Sequence, residues 1–488
     1  MRTGRVFYLL GRVLAIIGAT MILPLVISLL CQEDDAWVFG LCLPMVVGAG
    51  LILENAFRRY ADSHLLLRDS FLFVTLTWVL AGLAGSLPYI LYGCFPGPVY
   101  ALFESFSGFT TTGATAMADI EIMPQGILIW RSLSHWLGGA GIVMLFMTVM
   151  HRDARGNEGS RVFKAEFSGG VLAERATARS EDNALAILKV YIALTAACYL
   201  CLLMTGLSPL DSLNHAFSTA ATGGFSTKNA SVGAFNNPAA EWVIGVFLFL
   251  SSINLALYYL FFVRGLRRKV LRDQEMRLFV GVSALAVLLV AIDIRHNFYV
   301  GQSAGYCLRQ AFFQVMAILT SGGFCTADYD AWPTFSRFIL ILLIAVGGCA
   351  GSTASSIKLN RFYLAWATIK RDIVIGFRPH AVSPITFNGR SVSENVIRSV
   401  YLYILLYFAL TVAGTIICSL TGMDWHEAFL GCLASISNVG PALGSLGPAG
   451  NYAAVPAVSK LVMCFLMLAG RLEVYTVMVL FCPSVWRK

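Results

Sequence analysis

The chain contains few charged residues for its length. Of 488 residues, only 13% are Asp, Glu, Lys or Arg, whereas 57% are hydrophobic. A typical soluble domain carries about 25% charged residues, so this composition excludes an ordinary water-soluble globular protein and a disordered chain. Apolar stretches near the length of about 20 residues that spans a bilayer as a helix recur along the sequence. The sequence therefore predicts an all-α polytopic membrane protein.

Proline is also scarce, with 15 residues, but glycine is abundant, with 44. Glycine is tolerated better in membrane helices than in soluble ones. So many glycines nevertheless suggest membrane-embedded backbone that is non-helical or closely approached by another segment.

Positive charge is scarce in every second connection between the apolar stretches. Most of the 35 Lys and Arg residues lie in the alternate connections, at 1–12, 58–68, 151–183, 264–277, 358–398 and 487–488. The positive-inside rule places these connections and both termini in the cytoplasm. The net charge of +8 is therefore interpreted as a topology signal, and no nucleic-acid partner is predicted.

The apolar stretches predict two initial helices, at about 6–30 and 36–57, followed by a unit that repeats four times. Each unit has an outgoing helix, a short semi-polar segment with a Gly/Thr/Ser cluster, and a returning helix. The outgoing helices are predicted at 71–91, 184–206, 278–295 and 399–420, and the returning helices at 126–150, 239–263, 334–375 and 453–482. The predicted organisation is an N-terminal region (1–70), repeat 1 (71–150), a cytosolic loop (151–183), repeat 2 (184–277), repeat 3 (278–398) and repeat 4 (399–488).

The four short segments align on one glycine each. The aligned glycines are Gly113, Gly223, Gly322 and Gly440, which are 110, 99 and 118 residues apart. The second and third segments also share the pattern [Thr/Ser]-Gly-Gly-Phe-[Ser/Cys]-Thr. Recurrence at a period near 110 indicates an internal repeat. All four clusters face the same side of the membrane, so the repeats run parallel rather than inverted.

A short helix that ends at a glycine and returns to the same side is typical of a re-entrant pore loop. Glycine permits positive φ and close approach, so successive carbonyl groups can face a shared axis. Four such loops would replace the hydration shell of a monovalent cation. The side chains before the glycines are uncharged, which favours potassium over calcium. The predicted filter residues are Thr111, Thr112, Gly113, Thr222, Gly223, Ser321, Gly322, Asn438, Val439 and Gly440.

These segments and their order resemble the membrane subunit of the bacterial Trk potassium uptake systems, within the Trk/Ktr/HKT superfamily. The resemblance covers essentially the whole chain and includes the two additional N-terminal helices. It implies four M1–pore loop–M2 units around a pseudo-fourfold ion pore in a multi-pass protein of the bacterial inner membrane. It also implies a homodimer and a cytosolic, TrkA-like nucleotide-binding regulatory subunit that gates the pore.

The returning helix of repeat 3 is too long for a single crossing. Its 42 residues would extend about 63 Å as an unbroken helix, whereas a hydrocarbon core is about 30 Å thick. The run of Gly, Ser and Thr at 347–357 would break it and resembles the family's intramembrane gating loop. Gly347 and Gly351 also form a G-x-x-x-G packing pattern, but the neighbouring hydroxyl residues suit a wetted cavity better. The predicted gating residues here are Gly347, Gly348, Gly351, Ser352 and Thr353.

Arg471 is a charged residue in the middle of the last apolar stretch. A charge there is costly unless it faces a cavity or a partner. A local pair with Glu473 is disfavoured, because residues two apart do not face each other on a helix. The resemblance implies that Arg471 reaches the gating loop and adds an electrostatic barrier beneath the filter.

The sequence thus predicts a channel-like pore for potassium uptake, with K⁺ as the transported ion, no organic cofactor and no enzymatic activity. One alternative is a less selective Na⁺/K⁺ transporter of the same superfamily, which a Ser at one filter glycine would have supported. A secondary transporter of a small organic solute would predict inverted repeats and charged midplane residues. A polytopic membrane enzyme would need clustered His, Asp or Glu on the membrane faces, and such clusters are not seen.

Overall fold

The computed structural model describes residues 3–61, 65–150, 180–378 and 383–486, which are mostly helical. In this part of the chain, six helices are long and apolar enough to cross a membrane, and two bent helix pairs would raise the number to eight. The six are Gly4–Cys31, Ala36–Ala56, Arg68–Tyr92, Leu185–Met204, Gln274–Asn297 and Glu394–Leu420. The predicted class, a helical protein with several membrane-spanning segments, agrees with this architecture.

The N-terminal region consists of α1 (Thr3–Thr20), α2 (Ile22–Cys31) and α3 (Ala36–Ala56). The predicted first helix is interrupted only at Met21, so α1 and α2 together form one candidate span. Gly11 and Gly50 lie where α1 and α3 meet, and a Cβ on either would come closer than 3.0 Å to the main chain of the other helix. The two helices therefore pack with their backbones in contact.

After this region, one set of helices recurs four times along the chain. Each set has a long helix, a short helix and a third helix, and the third helix is broken in three of the sets. The first set is α4 (Leu67–Tyr92), α5 (Pro98–Phe109) and α6 (Gln125–Met150), and the second is α7 (Ser180–Met204), α8 (Pro209–Ala220), α9 (Pro238–Ser251), α10 (Leu255–Tyr258) and α11 (Arg267–Leu271). The third is α12 (Gln274–Asn297), α13 (Ala304–Leu319), α14 (Thr334–Ala345) and α15 (Leu359–Phe377). The fourth is α16 (Glu394–Leu420), α17 (Trp425–Ser437), α18 (Ala457–Arg471), α19 (Tyr475–Met478) and α20 (Pro483–Trp486).

The four short helices α5, α8, α13 and α17 have sharp N-terminal signals. Pro98 is the first residue of α5, where its missing amide proton costs nothing. The side chains of Ser208, Ser303 and Asp424 accept hydrogen bonds from the first-turn amides of α8, α13 and α17. These residues define where each short helix begins.

The long first helices of the last three sets expose most of their apolar surface, because only 22% to 33% of their apolar windows are buried. The equivalent helix α4 is 67% buried, because the N-terminal helices pack against it. Each of the four short helices buries much of its surface in the interior, as α13 does with Phe313 and Ala317. The short helices therefore lie in the interior, and the long first helices of the last three sets lie at the periphery with apolar surface exposed.

Three predicted returning helices are not continuous. The interruption predicted within 334–375 is present, since α14 ends at Ala345 and α15 begins at Leu359. The other two predictions, 239–263 and 453–482, are wrong as single helices. The second set bends by 91° after Ser251, and the fourth by 111° after Arg471.

Local capping and backbone conformation account for both bends. Asn254 restarts the helix after the first bend by accepting a hydrogen bond from the amide of Ala256. At the second bend, Glu473 and Val474 have positive φ, of 55° and 50°, whereas a right-handed helix requires negative φ.

A short hairpin, β1 (Thr386–Phe387) and β2 (Arg390–Ser391), departs from the all-α prediction. Its turn residues Asn388 and Gly389 both have positive φ, as a tight hairpin requires. The predicted cytosolic loop at 151–183 lies outside the described residues except for its last four positions, which belong to α7.

Candidate functional site

The four short helices end in the same way. Each leads into a short stretch of chain, here called segment 1 (110–117), segment 2 (221–228), segment 3 (320–327) and segment 4 (437–444), the last of which begins with the final residue of α17. The second residue of each segment has a left-handed conformation: Thr111, Thr222, Ser321 and Asn438, with φ of 57°, 53°, 54° and 53°. The amide of the next residue donates to a carbonyl five residues earlier, at 2.8, 2.8, 2.7 and 3.0 Å. This conformation is strained for Thr and Ser, so its fourfold occurrence indicates one shared backbone design.

A glycine with positive φ is the fourth residue of each segment. These residues, here called the glycine ring, are Gly113, Gly224, Gly323 and Gly440, with φ of 78°, 94°, 61° and 87°. A Cβ on any of them would come closer than 3.0 Å to a main-chain oxygen of a neighbouring segment. The oxygens approached are, in order, those of Gly223, Gly322, Val439 and Thr112. Segment 1 thus meets segment 2, 2 meets 3, 3 meets 4, and 4 meets 1, so the contacts close into a ring.

The predicted alignment of the four segments is wrong by one residue in two of them. Gly224 and Gly323, rather than Gly223 and Gly322, have positive φ and are equivalent to the ring glycine of segment 1. Gly223 and Gly322 instead occupy the position held by Thr112 in segment 1. Because segments 2 and 3 contain two adjacent glycines, the sequence offered no basis for choosing between them.

The chain between α14 and α15, the 346–358 loop, lies against three of the four segments. The amide of Ser355 donates to Ser321 Oγ at 2.8 Å. Thr353 Oγ1 accepts from Thr222 Oγ1 at 3.4 Å. Ser356 Oγ donates to the carbonyl oxygen of Ser437 at 2.9 Å. The loop therefore packs beneath the C-terminal ends of α8, α13 and α17.

The predicted gating glycines shape this loop. The amide of Gly347 donates to the carbonyl of Ile357 at 2.8 Å, which joins the two ends of the loop. A Cβ on Gly348 would meet the Ser252 carbonyl at 2.9 Å, and Gly351, with φ of 76°, lies against Asn254. Ser352 Oγ bonds within the loop, to the carbonyl of Cys349 at 2.6 Å. The glycines thus let the loop close and dock on the bend after α9.

Arg471 links the loop to the segment that the loop itself does not reach. One terminal nitrogen of its guanidinium donates to Thr111 Oγ1 at 3.0 Å and to the Thr353 carbonyl at 3.1 Å. The other donates to the Gly138 carbonyl at 2.8 Å. Glu473, which the sequence placed near Arg471, forms an ion pair with Arg361. The structure therefore brings Arg471 and the predicted gating loop together, and Arg471 is only 8% exposed.

Comparison with known proteins gives matches along the whole chain. Residues 47–488 match the TrkH family model, described as a cation transport protein. The potassium uptake protein TrkH of Salmonella typhimurium is 34% identical over 483 residues, 98% of each chain. TrkG of Escherichia coli K12 is 30% identical over 485 residues, 99% of this chain and 98% of that protein. The crystal structure of the potassium transporter TrkH from Vibrio parahaemolyticus aligns over 100% of both chains, with a TM-score of 0.89 and 31% identity.

This chain belongs to the TrkH family. The predicted resemblance to the membrane subunit of the Trk potassium uptake systems is thereby confirmed, and so is the prediction of a transmembrane ion transport protein. Within this TrkH-family chain, the predicted filter residues lie in the four contacting segments. The predicted gating residues lie in the 346–358 loop and, for Arg471, at the end of α18.

Two buried charged residues of the chain had no predicted role. Glu104 of α5 and Arg131 of α6 form an ion pair of 2.9 Å between Oε1 and Nε, with 0% and 1% of their side chains exposed. A signal for the pair was available, because a charge within an apolar membrane segment requires a partner. Which charges meet depends on how the helices pack, so the sequence alone could not pair them.

The 346–358 loop also has an unpredicted anchor. Glu275, in the first turn of α12, accepts a hydrogen bond from the amide of Ala350 at 2.8 Å. Glu275 lies within the basic connection at 264–277, and no role was predicted for it. The carboxylate holds the middle of the loop to the beginning of the third set of helices.

Proposed function

We propose that this protein takes up K⁺ across the bacterial inner membrane through a pore whose selectivity filter is formed by segments 1 to 4. The observation that carries this proposal is the closed series of glycine–carbonyl contacts around the glycine ring. Membership of the TrkH family supports potassium as the ion, because the similar proteins are named potassium uptake proteins.

The main-chain oxygens of the segments are the proposed ligands. K⁺ would lose its water at the mouth of the pore, and the carbonyl dipoles would replace the hydration shell. The filter comprises Thr111 to Gly113, Thr222 to Gly224, Ser321 to Gly323 and Asn438 to Gly440, none of which carries a charge. Neutral ligands suit a monovalent ion, because a pore for Ca²⁺ requires a ring of carboxylates.

The proposed gate consists of the 346–358 loop and Arg471. The loop packs against segments 2, 3 and 4, and Arg471 contacts segment 1, so together they cover the pathway below the filter. The positive charge of Arg471 raises the energy of K⁺ in the same place. Gly347, Gly348 and Gly351 give the loop the backbone freedom to move aside, and Ser352 and Thr353 provide hydroxyl groups for water in the opened path.

The proposal includes the arrangement in the cell that the resemblance implies. Both termini are cytoplasmic, the protein is a homodimer, and a cytosolic, TrkA-like nucleotide-binding subunit opens the gate. A negative-inside potential drives K⁺ inward with about 2.3 kcal/mol per charge per 100 mV.

The test is ion uptake into liposomes that contain the purified protein. We expect K⁺ and Rb⁺ to enter much faster than Na⁺, because the carbonyl filter compensates the dehydration of the larger ions better. Empty liposomes are the control. Equal rates for Na⁺ and K⁺ would favour a less selective transporter of the same superfamily. Absence of monovalent flux, including in a variant with the gate opened by Arg471→Ala, would overturn the proposal.

A further inference from the structure

The ion pair of Glu104 and Arg131 is bonded to the part of segment 1 that follows the ring glycine. Glu104 accepts hydrogen bonds from Thr115 Oγ1 at 3.0 Å and from the amide of Ala116 at 2.8 Å. Arg131 donates to the same Thr115 Oγ1 at 3.3 Å. Both charged groups thus hold the residues that come two and three positions after Gly113.

Arg131 also reaches segment 2. One of its terminal nitrogens donates to the carbonyl oxygen of Ser226 at 3.0 Å, two positions after the ring glycine Gly224. The guanidinium carbon lies 4.2 Å from the centre of the Phe225 ring, and His135 stacks on the same ring with centroids 4.1 Å apart. Arg131 and His135 lie one helical turn apart on α6, and both contact the ring of Phe225, the residue directly after Gly224.

The position of Glu104, nine residues before the ring glycine, holds a different residue in each set. His215 occupies it in the second set, where its Nε2 is hydrogen-bonded to Ser226 Oγ at 2.9 Å. Gln314 occupies it in the third set, where its side-chain amide lies 3.2 Å from Thr326 Oγ1. In the fourth set the position is Gly431, and the hydroxyl of Tyr452 donates instead to the Gly440 carbonyl at 2.7 Å. Of the four residues at this position, only Glu104 is a carboxylate with a buried ionic partner.

The junctions between neighbouring segments differ in the same way. The amide of Gly233 donates to the Cys325 carbonyl at 3.0 Å, and the hydroxyl of Tyr329 donates to the Ala442 carbonyl at 2.9 Å. The amide of Tyr452 donates to the Thr115 carbonyl at 2.8 Å. These three bonds are neutral, and the carboxylate of Asp330, which accepts from the amide of Gly444 at 3.1 Å, is exposed. Segments 1 and 2 are instead joined through the buried guanidinium of Arg131.

We propose that Glu104 and Arg131 are positioning residues that determine ion preference by fixing the spacing of segments 1 and 2. Carbonyl ligands discriminate between K⁺ and Na⁺ only while their number and positions are maintained. The charge-assisted bonds are stronger than the neutral bonds at the other junctions. The pair provides this rigidity without adding a net charge beside the pathway of the cation. The inference rests on the proposed function of the four segments as a filter.

The test compares Glu104→Gln and Arg131→Lys with wild type in liposomes, measuring initial Rb⁺ and Na⁺ uptake and thermal stability. Glu104→Gln keeps the shape of the side chain but removes its negative charge. Arg131→Lys keeps the positive charge but loses the planar guanidinium whose two terminal nitrogens reach Thr115 and Ser226. We expect the Rb⁺/Na⁺ ratio to fall at least about fivefold in both, because strength and geometry are both required. The matched control is Glu241→Gln, since Glu241 forms an ion pair of 3.0 Å with Arg309, and no described hydrogen bond joins either side chain to a segment. Its ratio should remain within about twofold of wild type.

The outcomes separate this inference from the proposed function. If wild type and Glu241→Gln take up Na⁺ as fast as Rb⁺, the proposed filter fails. If wild type discriminates and a folded Glu104→Gln does so equally, the positioning role is overturned. If Glu104→Gln does not fold, Arg131→Lys decides: an unchanged ratio would assign the pair to stability alone, and a reduced ratio in folded protein supports the proposal.

Discussion

Replacement of Gly323 with Ala should abolish most discrimination between K⁺ and Na⁺, whereas replacement of the adjacent Gly322 should retain it. Gly323 has φ of 61°, and a Cβ there would come closer than 3.0 Å to the carbonyl oxygen of Val439. The left-handed conformation costs Ala about 1–2 kcal/mol, and segment 4 would have to move its oxygen as well. At Gly322 the nearest atom to a Cβ is Leu248 Cδ2, the tip of a flexible side chain, at 2.5 Å.

The equivalent positions in other segments support this contrast. Thr112 and Val439 occupy the place of Gly322 and carry full side chains, so a methyl group fits the backbone conformation there. We expect the Rb⁺/Na⁺ uptake ratio to fall at least about tenfold for Gly323→Ala, which corresponds to a change of 1.4 kcal/mol between the two ions. Gly322→Ala is the matched control. A larger loss for Gly322→Ala than for Gly323→Ala would contradict the assignment of the glycine ring.

Replacement of Arg471 with Ala should increase K⁺ flux in the absence of any regulatory partner. The side chain joins Thr111 in segment 1 to Thr353 and Ser355 in the 346–358 loop, so its removal loosens the loop. It also removes a positive charge from the pathway. A unit charge about 8 Å from K⁺ costs about 2 kcal/mol at an effective dielectric constant near 20, so the flux should rise by about 30-fold.

Arg471→Lys separates the two contributions to this effect. Lysine retains the charge but lacks the planar fork that serves several acceptors at once. A small increase for Arg471→Lys and a large one for Arg471→Ala would indicate that the charge dominates. Equal increases would indicate that the hydrogen bonds to the loop dominate. Unchanged Rb⁺ uptake in both folded variants would remove Arg471 from the proposed gate.

Much of the architecture followed from local properties of the sequence. The apolar stretches located the long helices to within a few residues, since crossing a bilayer imposes a minimum length on any sequence. The Gly, Ser and Thr run at 347–357 placed the break between α14 and α15, because that composition cannot sustain a helix 42 residues long. Arg471 was predicted to be a gating residue because its charge is isolated in an apolar segment.

The bends after Ser251 and Arg471 did not follow from composition. The sequences around them remain apolar on both sides, so hydropathy predicted continuous helices there. The first bend depends on capping by Asn254, which lies against Gly351 of the 346–358 loop, and the next amide, that of Leu255, donates to the Gly351 carbonyl at 3.0 Å. The second depends on positive φ at Glu473 and Val474, which non-glycine residues adopt only where surrounding contacts enforce it.

The sequence by itself determined that this is a helical membrane protein with four similar glycine-containing segments and one broken helix. These features depend on composition and on residues close together in the chain. Only the tertiary structure decided which glycine of each segment belongs to the ring, and that Glu104 meets Arg131 beside segments 1 and 2. Both depend on approaches between residues distant in sequence. A glycine is indispensable where another backbone leaves no room for a Cβ, and a buried charge is stable where the packing of helices brings its partner.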